Sequence, residues 1–141
     1  MGIEGHIELV DHTGDVGVRV RAADLPQLFA LAARAMLQII CPECVVGRRI
    51  TRQVAVEGDD LAQLLVNWLS ALNFWFCTEQ ELYDDFRITS LEERSLRAVV
   101  AGEKVDPQRH PIRTEVKAVT YHKLYVTQRD DGWEAQVIFD I

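Results

Sequence analysis

The sequence predicts an α+β fold, a single two-layer domain in which two amphipathic helices pack on one face of a mixed β-sheet. Both helical patterns lie in the first half of the chain and most strand patterns in the second half, a segregation typical of this class. The 141 residues are enough for one domain. Apolar residues make up 48% and charged residues 26%, close to a soluble globular average. We therefore expect one domain over residues 1–141.

Two strands are predicted near the N-terminus. The stretch Ile7–Val10 is largely apolar, and Val16–Val20 alternates valine with glycine or arginine, which is the period of a half-buried strand. The polar segment Asp11–Asp15 lies between them. It is therefore predicted to connect the two strands.

The first helix is predicted over about Asp24–Ile40. Asp24 is a favourable N-cap residue and Pro26 suits the first helical turn, while apolar residues recur at three- and four-residue steps. Pro42 ends the helix, because proline disfavours the helical conformation of the residue before it.

A short strand at Gln53–Glu57 precedes the second helix. This helix is predicted to begin after Asp60, because Gln63 occupies the capping-box position three residues further on. Its broad apolar stripe comprises Leu61, Leu64, Leu65, Trp68, Leu69, Leu72 and Trp75. We assign the tryptophans to core packing rather than to stacking on nucleic-acid bases, because buried aromatic side chains dominate core energetics.

The rest of the chain reads as strands joined by short connections. Their predicted positions are Phe86–Ile88, Leu96–Ala101, Val116–Tyr121, Leu124–Val126 and Trp133–Ile141. Arg129–Gly132 contains an Asp-Gly pair, which favours a tight hairpin turn. Asp106–Thr114, with two prolines, is the longest irregular connection and a plausible functional loop.

The charge balance excludes one class of function. The formal net charge is −7, whereas nucleic-acid binders collect lysine and arginine to displace counterions from phosphates. We therefore expect no stable direct binding to nucleic acid. No apolar run approaches the ~18 residues of a membrane-spanning helix, and the N-terminus does not resemble a signal peptide, so we expect no membrane association and a cytoplasmic protein.

Cys41, Cys44 and Cys77 are expected to be ordinary thiols. Their odd number fits a reducing compartment better than a disulfide framework. Cys41 and Cys44 have the spacing of half a zinc site, but a structural site needs four ligands. A thioredoxin-like pair would open a helix, whereas this pair closes one.

Carboxylates at the two ends of the chain form the remaining candidate site. Asp11 and Asp15 flank the first connection, and Asp140 precedes Ile141, whose α-carboxylate ends the sequence. Such hard oxygens are the ligands that Ca²⁺ and Mg²⁺ prefer. The sequence leaves two interpretations open, a cation site built from both ends or a solvated terminus, because it does not show whether the ends meet.

Three strings, at their expected places along the whole chain, resemble the archease family. They are Asp11–Val16, Glu115–His122 and Phe139–Ile141. The helix start Gly58–Leu61 and the triplet Arg109–Pro111 are also similar to that family. The family usually has alanine where this sequence has Gly14, a difference that leaves both aspartates of the first string in place.

The resemblance implies a function and a partner. Archeases are accessory proteins of the RtcB-type RNA ligase, which seals tRNA halves after intron removal; they promote guanylylation of the ligase and allow multiple turnover. We therefore expect a non-enzymatic activator. The resemblance also leaves room for a chaperone-like modulator of a tRNA methyltransferase, and the carboxylates alone would suit a small metal-dependent hydrolase.

The resemblance also implies a site. A divalent ion, expected to be calcium with magnesium or manganese as alternatives, would be held by three residues, Asp15, Asp140 and Ile141. Further candidates, which would support the ion's ligands or face the partner, are Asp11, His12 and His122.

Overall fold

The computed structural model describes the backbone of residues 6–12 and 14–141, and the side chains of residues 7–8 and 14–141. These residues form seven strands and two helices. In chain order they are β1 (His6–His12), β2 (Asp15–Ala22), α1 (Leu25–Ile40), β3 (Ile50–Glu57), α2 (Leu61–Glu79), β4 (Glu81–Glu92), β5 (Ser95–Lys104), β6 (Ala118–Arg129) and β7 (Gly132–Asp140).

The predicted α+β class is confirmed, and the strands divide between two sheets. One sheet has the order β1-β2-β7-β6 and the other β3-β5-β4. All strand pairs are antiparallel, where the sequence predicted one mixed sheet. The reason is local: β1–β2, β4–β5 and β6–β7 are joined by short connections, and a short connection between paired strands makes them antiparallel.

The helices contact both sheets, where the sequence predicted helices on one face of a two-layer domain. Helix α1 packs against β2 and β7 of the four-stranded sheet and against β4 of the three-stranded sheet, and α2 contacts β6, β3 and β4. Ten of the 16 residues of α1 are buried. A helix that is apolar around most of its circumference needs cover on more than one side, which the second sheet provides.

Both helices begin at the predicted caps. Asp24 accepts a hydrogen bond from the Gln27 N–H at 2.9 Å, and Asp60 accepts one from the Gln63 N–H at 2.8 Å. The core assignment of the second helix is also confirmed for Trp68, which is fully buried. Its indole N–H donates to the Phe29 carbonyl oxygen at 2.9 Å, so the two helices are joined by a polar contact within the apolar core.

The hairpin between β6 and β7 turns at the predicted place. Arg129 pairs with Gly132, and Asp130 adopts a left-handed conformation with φ 47°. Strand β6 is irregular in its middle, because the pairing with β7 is interrupted between Thr120 and Tyr125. Lys123, inside that interval, has φ 51°.

The expectation of three free thiols is wrong. Cys41 and Cys44 form a disulfide with their Cα atoms 5.4 Å apart, and Cys77 is free and exposed. Helix α1 ends at Ile40, and the Cys44 N–H donates to the Cys41 carbonyl oxygen at 3.2 Å. This turn brings the two α-carbons into the range that a disulfide spans, so the cysteine count no longer supports the predicted reducing compartment.

Neither of the helices in the described part of the chain is long and apolar enough to cross a membrane.

Strand β4 approaches its neighbour β5 so closely at Gly102 that we expect any larger residue there to destabilise the protein. A Cβ atom there would overlap the carbonyl oxygen of Leu82, so we expect Gly102→Ala to lower the free energy of unfolding by at least about 3 kcal/mol. Gly14→Ala is the matched control: Gly14 has φ +81° and nothing within 4 Å of a Cβ, so only conformational strain of about 1–2 kcal/mol is expected. Urea unfolding measures both, and equal losses would contradict the packing argument.

Candidate cation site between β2 and β7

The pairing of β2 with β7 brings two predicted ligands together. Asp15, the first residue of β2, is the register partner of Asp140, the last residue of β7. Directly opposed residues of an antiparallel pair point to the same face with their Cβ atoms about 5 Å apart. Two carboxylates from opposite ends of the chain are therefore neighbours at one corner of the four-stranded sheet.

Ile141 is held at the same corner through its main chain. Its N–H donates to the Gly14 carbonyl oxygen at 3.1 Å. On the other side of β7, the Lys117 N–H donates to the Asp140 carbonyl oxygen at 2.8 Å. The backbone at 140–141 is thus fixed from both sides, and the amide of Ile141 lies beside Gly14.

One oxygen of Asp15 lacks a partner. Asp15 Oδ1 is buried and makes no hydrogen bond within the described part of the chain. A buried acceptor without a partner costs about 1–3 kcal/mol, and a bound cation would remove that cost. The donor set, carboxylate and main-chain oxygen, is the set that a hard divalent cation prefers. The residues present therefore fit such an ion.

The corner differs from a complete side-chain metal site. Among residues 7–8 and 14–141, whose side chains are described, no group of three or more histidine, cysteine, aspartate or glutamate side chains is arranged to hold a metal. Two carboxylates are contributed here by Asp15 and Asp140. A third protein ligand from the described chain would have to be a main-chain oxygen, as the resemblance implies for Ile141.

The further candidates have different outcomes. The side chains of Asp11 and His12 lie outside the described residues; the backbone places His12 opposite Asp15 in the β1–β2 register. His122 lies in the irregular part of β6, and its N–H donates to Thr120 Oγ1 at 3.3 Å. Because Thr120 pairs with Ile138, His122 belongs to the neighbouring edge of the sheet rather than to the row of Asp15 and Asp140.

Glu134, another carboxylate of β7, differs from Asp15 because both of its oxygens have hydrogen-bond partners. It is buried, its Oε1 accepts from Arg21 Nε at 2.6 Å and its Oε2 accepts from the Tyr125 hydroxyl at 2.5 Å. The hydrogen bond from Tyr125, followed by that from Arg21, lowers the pKa of Glu134. Both of its oxygens are used within the protein, so Glu134 has no free capacity for an ion.

A second polar centre was missed by the sequence reasoning. Glu103 is only 3% exposed, and its Oε1 accepts from Arg109 Nη2 at 2.6 Å. Its Oε2 accepts from the Gly47 N–H at 2.5 Å. The hydrogen bond from Arg109 and then that from Gly47 lower the pKa of Glu103 to about 2. Glu103 therefore fastens the connection after α1 to the connection before β6.

His110 completes this centre as a buried hydrogen-bonding side chain. Its Nδ1 accepts from the Asp106 N–H at 2.8 Å, which leaves Nε2 to carry the proton. Nε2 lies 3.2 Å from Glu103 Oε2 and 3.3 Å from the Val45 carbonyl oxygen. The predicted functional loop is thus anchored at Arg109 and His110. For this polar centre, the Arg109–Pro111 triplet was the only sequence signal.

Comparison with known proteins identifies similar sequences over nearly the whole chain. The model of the archease protein family matches residues 7–141. The protein archease of Methanosarcina acetivorans is 37% identical over 138 residues, which is 95% of this chain and 94% of that protein. The protein archease of Methanopyrus kandleri is 36% identical over 137 residues, covering 95% of this chain and 98% of that protein.

Two solved structures are similar in fold. Protein 1598 of Methanobacterium thermoautotrophicum, solved in solution, has a TM-score of 0.79 and 29% identity and covers 96% of this chain and 98% of its own. An archease of Thermotoga maritima, described as a possible chaperone, has a TM-score of 0.61 at 16% identity, with 94% of each chain covered. The second likeness concerns the fold alone.

The buried Glu103 predicts a defined loss of stability in acid. Its pKa in the folded protein, about 2, lies below its ordinary value of 4.5. The stabilisation is therefore complete above about pH 4.5 and is lost as the pH falls towards 2. We expect Glu103→Gln to be less stable than the parent at pH 7 and to lose this part of the acid dependence, measured by urea unfolding between pH 7 and 2. Glu93→Gln, in the exposed turn after β4, is the control, and parallel pH profiles of the parent and Glu103→Gln would contradict the assignment.

Proposed function

This chain belongs to the archease family, and on that premise we propose that it is a non-enzymatic, cation-binding activator of the RtcB-type RNA ligase of tRNA splicing. The observation that carries the proposal is the pairing of Asp15 with Asp140, together with the unpartnered buried oxygen of Asp15. The family resemblance supplies the partner. The proposed location is the cytoplasm.

Electrostatics favour a cation at this corner. Like charges directly opposite each other on neighbouring strands destabilise the pair, and two aspartate side chains are opposed here. A divalent ion between Asp15 and Asp140 would convert this repulsion into attraction, and a main-chain oxygen of Ile141 would add a third ligand. Calcium is the expected ion, because it accepts irregular sets of oxygen ligands more readily than magnesium does; magnesium and manganese are the alternatives.

The corner is suited to acting on a partner rather than on a substrate of its own. Its carboxylates stand on a backbone fixed by the N–H groups of Lys117 and Ile141, so they present oxygens at a defined position. Docked near the nucleotide and metal centre of the ligase, they would favour the ligase conformation that accepts GTP. Such a shift needs only stronger binding to that conformation than to the others.

The net charge supports the same partner. At −7, the protein would be attracted to a basic, RNA-binding enzyme and would approach it faster than a neutral protein. The same charge disfavours direct binding to tRNA. Activation would therefore depend on protein–protein contact and weaken as the salt concentration rises.

Asp15→Asn tests the proposal. We expect calcium affinity, measured by calorimetry, to fall by more than about tenfold, because the charge of the ligand set controls affinity. With limiting ligase, multiple turnover in a tRNA ligation assay should be lost. Thermal stability should be retained or rise, because the repulsion between Asp15 and Asp140 is removed.

Asp131→Asn is the matched control. It makes the same charge change in the exposed β6–β7 turn, at the opposite end of β7, and should leave both ion binding and ligase stimulation unchanged. Normal stimulation by folded Asp15→Asn would overturn the proposed role of the corner. Hydrolysis of phosphoesters by the isolated protein, lost in Asp140→Asn, would overturn the non-enzymatic assignment in favour of a hydrolase. Capture of a tRNA methyltransferase instead of the ligase would overturn the choice of partner.

A further inference from the structure

We propose that Cys41 and Cys44 form a reversible thiol–disulfide site, reduced by dithiols and sensed by the segment Arg109–Thr114. The pair closes α1 and faces that segment. Cys41 Sγ lies 3.2 Å from the carbonyl oxygen of Pro111, so reduction of the disulfide would alter a direct contact with this segment.

The two sulfurs differ in access. Cys41 is 1% exposed, whereas Cys44 is partly exposed and is followed by Val45, which is 82% exposed. The intervening residues Pro42 and Glu43 are exposed as well. We therefore expect an external thiolate to attack Cys44, the more exposed cysteine, and Cys41, the buried one, to leave.

The exchange is balanced with a dithiol as the reductant. One thiolate of the dithiol attacks Cys44 Sγ; the Cys41–Cys44 bond breaks, and Cys41 leaves as a thiolate that takes up a proton. The second thiolate of the dithiol then attacks the dithiol sulfur of the mixed disulfide. The bond to Cys44 Sγ breaks, and Cys44 leaves as a thiolate that takes up a proton. The protein gains two electrons and two protons, and the dithiol becomes a disulfide.

The reduced form has a hydrogen-bond acceptor in place. A disulfide sulfur carries no hydrogen, whereas the Cys41 thiol would donate to the Pro111 carbonyl oxygen, at a distance suited to a sulfur donor. The next residues are already tied to the helix end, because the N–H groups of Arg113 and Thr114 point to the Ile40 carbonyl oxygen at 2.8 and 3.3 Å. Reduction would thus add a third link between the helix end and this segment.

The position on the helix favours a switch over a catalyst. The negative end of the α1 dipole, with Glu43 close by in sequence, disfavours a thiolate. Disulfide catalysts need a stabilised thiolate, which the C-terminal end of a helix does not favour. The pair would be oxidised or reduced according to the ratio of dithiol to disulfide around it, without transferring disulfides rapidly to other proteins.

Thiol counting tests the chemistry. Without reductant, the unfolded protein should take one carbamidomethyl group, on Cys77, and after dithiothreitol it should take three, since the chain has three cysteines. Cys77→Ser should give none and two. Labelling of all three cysteines in fresh, unreduced protein, or a bond that persists in excess dithiothreitol, would overturn the proposal.

Amide hydrogen exchange of the folded protein tests the sensing. On reduction, we expect faster exchange in residues 42–47, which lose their covalent link, and slower exchange at Arg113 and Thr114, which follow the new hydrogen bond from Cys41 to Pro111. In a Cys44→Ser background, Cys41→Ser keeps a donor for Pro111 and Cys41→Ala does not, so only the serine should protect Arg113 and Thr114. Equal exchange in these two variants would overturn the sensing role.

These outcomes are independent of the proposed ligase function. The segment Arg109–Thr114 is followed closely by Val116, whose carbonyl oxygen accepts from Asn73 Nδ2 at 2.8 Å. The next residue, Lys117, donates a hydrogen bond from its N–H to the Asp140 carbonyl oxygen. The proposed function is tested separately by Asp15→Asn, so normal ligase stimulation by that variant, with the labelling and exchange results intact, would count against the proposed function alone.

Discussion

The pairing of β2 with β7 is the constraint on which the rest of the structure depends. It joins the first hairpin of the chain to the last, and it aligns Val18 with Val137 and Val20 with Ala135 on the face that meets the helices. A slip of one residue would turn these side chains towards solvent. The same register sets Asp15 opposite Asp140, so burial of the core fixes the candidate cation site.

The carboxylates of the core and those of the candidate cation site differ in how their charge is balanced. Glu103 and Glu134 each lie beside an arginine, and the resulting hydrogen bonds lower their pKa values. Asp15 and Asp140 instead face each other. A charge balanced by arginine stabilises the fold without help, whereas an opposed pair gains from an ion supplied from outside. This difference separates carboxylates that join parts of the fold from the opposed pair proposed to bind a cation.

Local features were predictable from the sequence and distant pairing was not. The caps at Asp24 and Asp60 and the turn after Arg129 depend on residues close together in the chain, and the structure confirms them. The division into two sheets depends on which hairpins meet. The Cys41–Cys44 disulfide depends on a turn after α1 that composition does not encode. The opposition of Asp15 and Asp140 requires the register between the two ends of the chain, which only the structure supplies.

The irregular middle of β6 has a consequence for solubility. A regular outer strand offers an unbroken row of N–H and C=O groups to which another polypeptide can add. Here the ladder is interrupted between Thr120 and Tyr125, and Lys123 turns the backbone aside with a charged side chain. Strand β6 is regular only over 118–120 and 125–129, so another strand could pair with it over two short stretches at most. This edge of the four-stranded sheet therefore resists edge-to-edge aggregation.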